Sequence, residues 1–114
     1  MGRALGEFEQ LILFALVELD DEAYGASIGR AIERRTGRPV AAGAIYTALD
    51  RLAARRLVTS HVGEPTPERG GRRKRYYRLE PVGAVELRRS VHVIRIMSEG
   101  LIPKLEALMG ADGS

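Results

Sequence analysis

Residues 43–52 read GAIYTALDRL, and the placement of this stretch decides the fold. Ile45, Leu49 and Leu52 recur at four- and three-residue steps, which gathers them on one side of a helix over roughly residues 42–56. The other side presents Ala44, Tyr46, Thr47, Asp50 and Arg51. Gly43 and Ala44 leave the first turn almost bare, so the backbone of another molecule can approach it closely.

Upstream, two more helices are expected. Leu5, Phe8, Ile12, Ala15, Leu16 and Leu19 fall on one apolar stripe. Asp20-Asp21-Glu22 breaks that stripe and places acid at the start of a second helix, where the helix dipole favours it. This helix turns Tyr24, Ile28, Ala31 and Ile32 inward, and Arg30, Glu33, Arg34 and Arg35 outward. Gly37 reads as its left-handed stop, with Pro39 shortly after. Gly25 and Gly29 form a GxxxG pair, a sign of close packing against a neighbouring helix. Three short helices, the last two tightly joined, make a tri-helical helix-turn-helix.

Downstream, residues 57–62 alternate and are β-branched, as a strand requires. Residues 63–71, GEPTPERGG, spell a loop, and residues 75–79 return as a second strand with Tyr77 and Leu79 on one face. A hairpin directly after the third helix is a wing. The expected fold class is therefore mainly α, an α+β winged helix: a three-helix core, a two-stranded β wing and a long C-terminal dimerisation helix. In that last helix Leu87, Val91, Ile94, Ser98, Leu101, Leu105 and Leu108 repeat at the spacing of a coiled-coil seam. Gly100 and Pro103 interrupt it, and a kink or break is expected near Pro103. The expected organisation is a winged helix-turn-helix over residues 1–80, the terminal helix over 81–110 and a frayed tail at 111–114.

Composition excludes several classes. With 45% hydrophobic and 29% charged residues, the 114-residue chain is neither disordered nor fibrous. It has no cysteine, which removes disulfides, zinc fingers and thiol catalysis together. No apolar run approaches the roughly 18 residues of a membrane span, and a cytoplasmic protein of a prokaryote is expected. The net charge is only +3, so the distribution of charge matters more than its sum.

That distribution is uneven. Residues 68–78 read ERGGRRKRYYR, and Arg69, Gly70, Gly71, Arg72, Arg73, Lys74 and Arg75 cluster at or beside a glycine-bearing hairpin tip. Such a tip can approach a phosphate backbone, and each displaced counterion adds about 0.9 to the logarithmic salt slope. Its competing reading is a solvated run of charge. The third helix is the candidate reader of base edges, through Gly43, Ala44, Tyr46, Thr47, Asp50 and Arg51, and Tyr24 joins this DNA-binding set. The competing reading is that Tyr46 packs in the core and Arg51 pairs with Asp50 or Glu33.

Double-stranded DNA is the expected partner, with a second copy of the chain held through Leu87, Val91, Ile94, Met97, Leu101, Leu105 and Leu108. The alternative for that seam is folding back over its own chain. Val93, Ile94, Met97 and Leu101 are also candidates to line a pocket for a small hydrophobic effector, against the plainer reading of a packed seam. His61 and His92 lie far apart without carboxylates at ligand spacing, so neither a metal nor a cofactor is expected. Nothing supplies a nucleophile with its base, so no enzyme is expected. A second function class stays open: a ligand-sensing or protein-interaction module whose basic hairpin binds an acidic partner.

Four segments in order resemble the PadR family of bacterial transcriptional regulators, in its short form with a single C-terminal helix. They are Leu5-Gly6-Glu7-Phe8-Glu9, Glu22-Ala23-Tyr24-Gly25, residues 43–52, and residues 70–79 followed by Pro81 and Gly83. The resemblance covers nearly the whole chain. It implies a homodimeric winged helix, usually a repressor on a palindromic operator that controls its own gene or a neighbouring transporter or stress gene. Some relatives release DNA when a phenolic acid or a flat hydrophobic drug binds between the subunits. This chain departs from the pattern at Ala41, where many relatives cap the recognition helix with serine, at Thr47 in place of proline, and at Glu80 in place of threonine. It also has no tryptophan, the residue with which drug-binding relatives sandwich planar ligands.

Overall fold

The first apolar stripe forms α1 (Glu7–Leu19), where Ile12, Leu13, Ala15 and Leu16 are buried. Its first turn is closed by the Gly6 N–H, which donates to Glu9 Oε1 at 2.9 Å. Residues 4–64 and 73–110 are described in the computed structural model. After α1 come a 3₁₀ turn (Asp20–Glu22), α2 (Gly25–Thr36), α3 (Ala42–Ala54), β1 (Val58–Val62), β2 (Arg75–Leu79), α4 (Pro81–Ser98) and α5 (Ile102–Leu108). The tail expected at 111–114 lies outside the described residues.

The acidic triplet does not open α2, as its charge suggested. It forms the 3₁₀ turn, and α2 begins at Gly25 with Tyr24 as its N-cap. Two constraints delay the helix. The Tyr77 N–H donates to Ala23 O at 2.8 Å, and Tyr24 bridges Tyr76, so residues 23–24 must be extended. Ser27 Oγ then accepts the Tyr24 N–H at 2.9 Å and donates to Glu22 O at 2.6 Å, fixing the first turn. At the far end Gly37 (φ 75°) returns its N–H to Glu33 O at 2.8 Å, the left-handed stop that the sequence announced.

Ile12, Leu13, Ile28, Ile45, Leu49, Leu52 and Val58 are the largest fully buried side chains, so the three helices and the first strand share one core. Gly29 permits this closeness, since a Cβ there would stand 3.1 Å from Ile45 Cδ1. Helix α3 ends two residues earlier than the pattern indicated. Leu57 N–H bonds Leu52 O at 3.0 Å and Arg56 N–H bonds Ala53 O at 2.9 Å, a paired C-terminal closure with Arg56 at φ 62° where glycine is preferred. The wing is antiparallel, from Val58 opposite Leu79 to Val62 opposite Arg75, and it turns Val58 and Tyr77 into the core.

One expectation for the terminal helix is corrected. Leu87, taken as the first residue of a dimer seam, is only 4% exposed and belongs to this chain's own core, with Val91 half-buried against it. Gly83 makes that possible by letting α4 lie directly on the β1 entry; a Cβ there would meet Leu57 O at 2.3 Å. The expected break is present: it falls at Gly100 (φ 76°), three residues before Pro103, whose ring and missing N–H act on the Glu99 carbonyl where α4 ends. Pro103 sits in the first turn of α5, where a missing N–H costs nothing. From Val93 onward the apolar side chains of α4 and α5 are largely uncovered. Among the described residues no helix is long and apolar enough to cross a membrane.

Backbone geometry gives a paired prediction. Arg56→Gly relieves the left-handed residue and should raise the unfolding free energy by about 1 kcal/mol. Gly83→Ala must push α4 off Leu57 and should lower it by about 2 kcal/mol or more. Urea denaturation followed by circular dichroism measures both; equal midpoints for the two variants would contradict this packing.

Candidate nucleic-acid interface

Helix α3 turns its buried side, Ile45, Ala48, Leu49 and Leu52, to the core and leaves Gly43, Ala44, Thr47 and Asp50 exposed. Nothing lies within 4 Å of where a Cβ on Gly43 would stand, so the first turn is bare to solvent. Ala41 caps the helix without a side-chain bond, leaving N–H groups of that turn open.

Tyr46 combines the two readings that the sequence left open. It is 46% exposed, yet its phenol rests on α2 so closely that a Cβ on Gly25 would stand 2.2 Å from Oη. Arg51 does pair, but with neither Asp50 nor Glu33. Its Nε lies 3.4 Å from Glu9 Oε2 on α1, a carboxylate almost wholly buried. Its remaining N–H groups stay half exposed, so α3 is tied to α1 while Arg51 keeps donors on the surface.

The wing base stands beside α3. Lys74 Nζ lies 4.2 Å from the centre of the Tyr24 ring, and Arg30 Nη2 donates to Tyr24 Oη at 3.1 Å. The Tyr24 and Tyr76 rings meet edge to face at 5.6 Å, and His61 stacks on Tyr76 at 5.7 Å. Arg73 is exposed, while Arg75 Nη1 donates to Ser60 Oγ at 3.1 Å across the hairpin. Arg69, Gly70, Gly71 and Arg72 lie outside the described residues.

Electrostatics follow this layout. The Arg30 hydrogen bond, helped by Lys74 and opposed by burial, holds the Tyr24 phenol below the ordinary tyrosine range. Burial pushes the Tyr77 phenol up; Arg75 opposes this and the Asp50 carboxylate adds to it. At the C-terminal end of α2, Glu18 ties α1 to Arg35 at 2.7 Å and to Arg34, and both cations hold its carboxyl low. Among the described residues no three His, Cys, Asp or Glu side chains gather into a metal site.

Sequence reasoning missed Glu9, Arg30, His61 and Tyr76 at this interface. Strand alternation does place Tyr76 on the face opposite Tyr77, and the register sets it across from His61. Glu9 carried a signal too, as an acid beside an apolar stripe. Arg30 carried none, because only the fold brings it back to Tyr24.

Residues 12–89 match the transcriptional regulator PadR-like family. The chain belongs to that family. A PadR family transcription regulator from Clostridium difficile shares its fold with a TM-score of 0.71 at 25% identity, covering 88% of this chain and 99% of that one. A transcriptional regulator from Clostridium thermocellum gives 0.69 at 26% identity over 84% of this chain and 86% of its own. Among curated proteins, an uncharacterised 37.1 kDa protein in transposon TN4556 of Streptomyces fradiae is 36% identical over 90 residues. That match takes in 79% of this chain, which spans only 24% of the relative's length. For a PadR family winged helix, the exposed face of α3 and the adjoining wing are the parts that differ most in chemistry from the buried core.

The depressed Tyr24 phenol is directly testable. Its folded value lies below the unfolded one, so ionisation adds stability only in alkali, and that addition fades as pH falls through the folded value. In an alkaline ultraviolet titration, the component lost in Tyr24→Phe should titrate below the ordinary tyrosine range, and Arg30→Gln should move it back up. An unshifted component in Arg30→Gln would mean that Arg30 is not its cause.

Proposed function

We propose that this chain is a homodimeric transcriptional repressor that reads a palindromic operator in duplex DNA. The observation that carries the reading is the bare, exposed first turn of α3, at Gly43 and Ala44, set beside a wing base that presents Arg73 and Lys74. The helix enters the major groove, with Thr47 and Asp50 toward base edges and the exposed flank of the Tyr46 ring beside them, and the wing cations lie along phosphates. Arg51 contributes through the donors that Glu9 leaves free.

Dimerisation is supported by the uncovered apolar residues of the terminal helices. Ile94 is 64%, Met97 72% and Leu108 82% exposed, with Leu101 and Leu105 about half exposed. Apolar side chains at this density favour a partner, and a two-fold copy supplies one. In that arrangement the recognition helices stand about 34 Å apart, one turn of DNA. A groove of about 340 Å³, lined by Leu5, Gln10, Glu86, Arg89, Val93 and Ile94 among others, is where a small hydrophobic effector would enter.

Two measurements test the reading. Fluorescence anisotropy against genomic and random duplexes should show at least about a tenfold preference for one genomic site. Replacing Arg72, Arg73 and Lys74 by alanine should weaken binding to every duplex and cut the salt slope by about 0.9 per lost phosphate contact. A wild-type chain that prefers no duplex and instead binds an acidic protein would replace this proposal with the interaction-module reading. Separately, Met97→Glu combined with Leu101→Glu should sediment as a monomer with an intact winged domain; a persistent dimer would locate the interface elsewhere.

A further inference from the structure

Tyr24 is surrounded by donors. Arg30 Nη2 gives a hydrogen bond to its oxygen, Lys74 Nζ stands over its ring, and both hold the phenol low. With its oxygen already accepting, the phenol still has its own O–H to donate. Within the described residues no carboxylate pairs with Arg30 or Lys74. Of the acids near these residues in sequence, Glu18 pairs with Arg34 and Arg35 and Asp21 with Arg78, while no ion pair among the described residues joins Glu22 or Glu33 to Arg30 or Lys74.

Two cations and a hydroxyl therefore converge at one solvent-facing place with no anion to satisfy them. That donor set suits a singly charged oxyanion, with the planar guanidinium as its most directional member. The place is fixed by the fold on both sides. Tyr24 bridges β2 at Tyr76, and the next residue, Gly25, is pressed by Tyr46 of α3. An anion held here touches the seam between wing and α3.

We propose that Tyr24, Arg30 and Lys74 clamp one phosphodiester of the DNA backbone, flanking the groove that α3 occupies. The proposal rests on the DNA-binding reading above and adds to it a residue of α2, Arg30, with a defined role. Because Arg30 comes from the helix and Lys74 from the wing, one phosphate fastens both elements. The clamp carries no sequence information; it sets the register in which α3 meets the bases.

Arg30→Gln keeps a polar side chain of similar length and removes the charge, and Tyr24→Phe keeps the ring while removing the donor. Arg30→Gln should weaken operator and random duplexes by the same factor, about tenfold, and lower the salt slope by about 0.9. Ethylation interference on the operator should reveal one phosphate per half-site whose ethylation blocks the wild type and no longer matters to Arg30→Gln. Tyr24→Phe should lose several-fold affinity at an unchanged melting temperature. Unaltered affinity and slope in Arg30→Gln would overturn the clamp and leave the DNA-binding reading standing. So would a loss confined to the operator, which would make Arg30 a base reader or a support for the wing. A wild-type chain that binds no duplex would sink both readings together.

Discussion

The wing has few ways to be rigid, because two strands of five residues are barely stable alone in water. What steadies it is the extended step at Ala23 and Tyr24, which lies along β2 as a third edge: the Tyr77 N–H reaches Ala23 O at 2.8 Å, and Tyr24 bridges Tyr76. The same step is the N-cap of α2, so hairpin and helix share a backbone junction with no flexible linker between them. Tyr77, buried on the inner face of β2, anchors the hairpin to the core from the other side. Without that edge the hairpin would be held to the core only through Val58, Tyr77 and Leu79 of its own strands.

From this junction the rest of the surface is positioned by short contacts. Gly25 receives Tyr46, Gly29 receives Ile45, and Arg51 is secured to the buried Glu9. Glu9 also accepts the Gly6 N–H, so a single carboxylate closes the first turn of α1 and steadies α3. A buried carboxylate left without such partners would be costly, which ties the start of α1 to the orientation of α3. The outer side of α3 thus stays bare while its inner side is held by all three neighbours: α1, α2 and the wing.

Much of this was legible in the sequence where one local rule decided the outcome. The stripe of α1, the left-handed stop at Gly37, the close packing announced by Gly25 and Gly29, and the hairpin after α3 each depend on residues only a few positions apart. The elements that read differently are those set by distant partners. Acid at Asp20–Glu22 matched a helix start, but pairing of Ala23 with Tyr77 kept the chain extended. Heptad spacing placed Leu87 on the seam with Leu101, because periodicity cannot tell a core from an interface; Gly83 brings that end of α4 onto Leu57. The break that Gly100 and Pro103 announced is present, with Gly100 in the left-handed turn and the proline in the first turn of the next helix. At the interface, Tyr24 and Lys74 were visible as residue types, but the return of Arg30 to Tyr24 and the partner of Arg51 depend on tertiary geometry.

The fit of Tyr46 over Gly25 also constrains how such a chain can diversify. A methyl group at position 25 would stand 2.2 Å from Tyr46 Oη, so the half-exposed ring would have to swing aside to admit it. The two sites are therefore coupled: a side chain at 25 is admitted without disturbance once 46 has shrunk, and in the reverse order it displaces the ring from α2. Across descendants of this sequence, glycine at 25 should tend to be inherited with the aromatic at 46, which makes the outer face of α3 slower to explore new sequences than its exposure alone suggests.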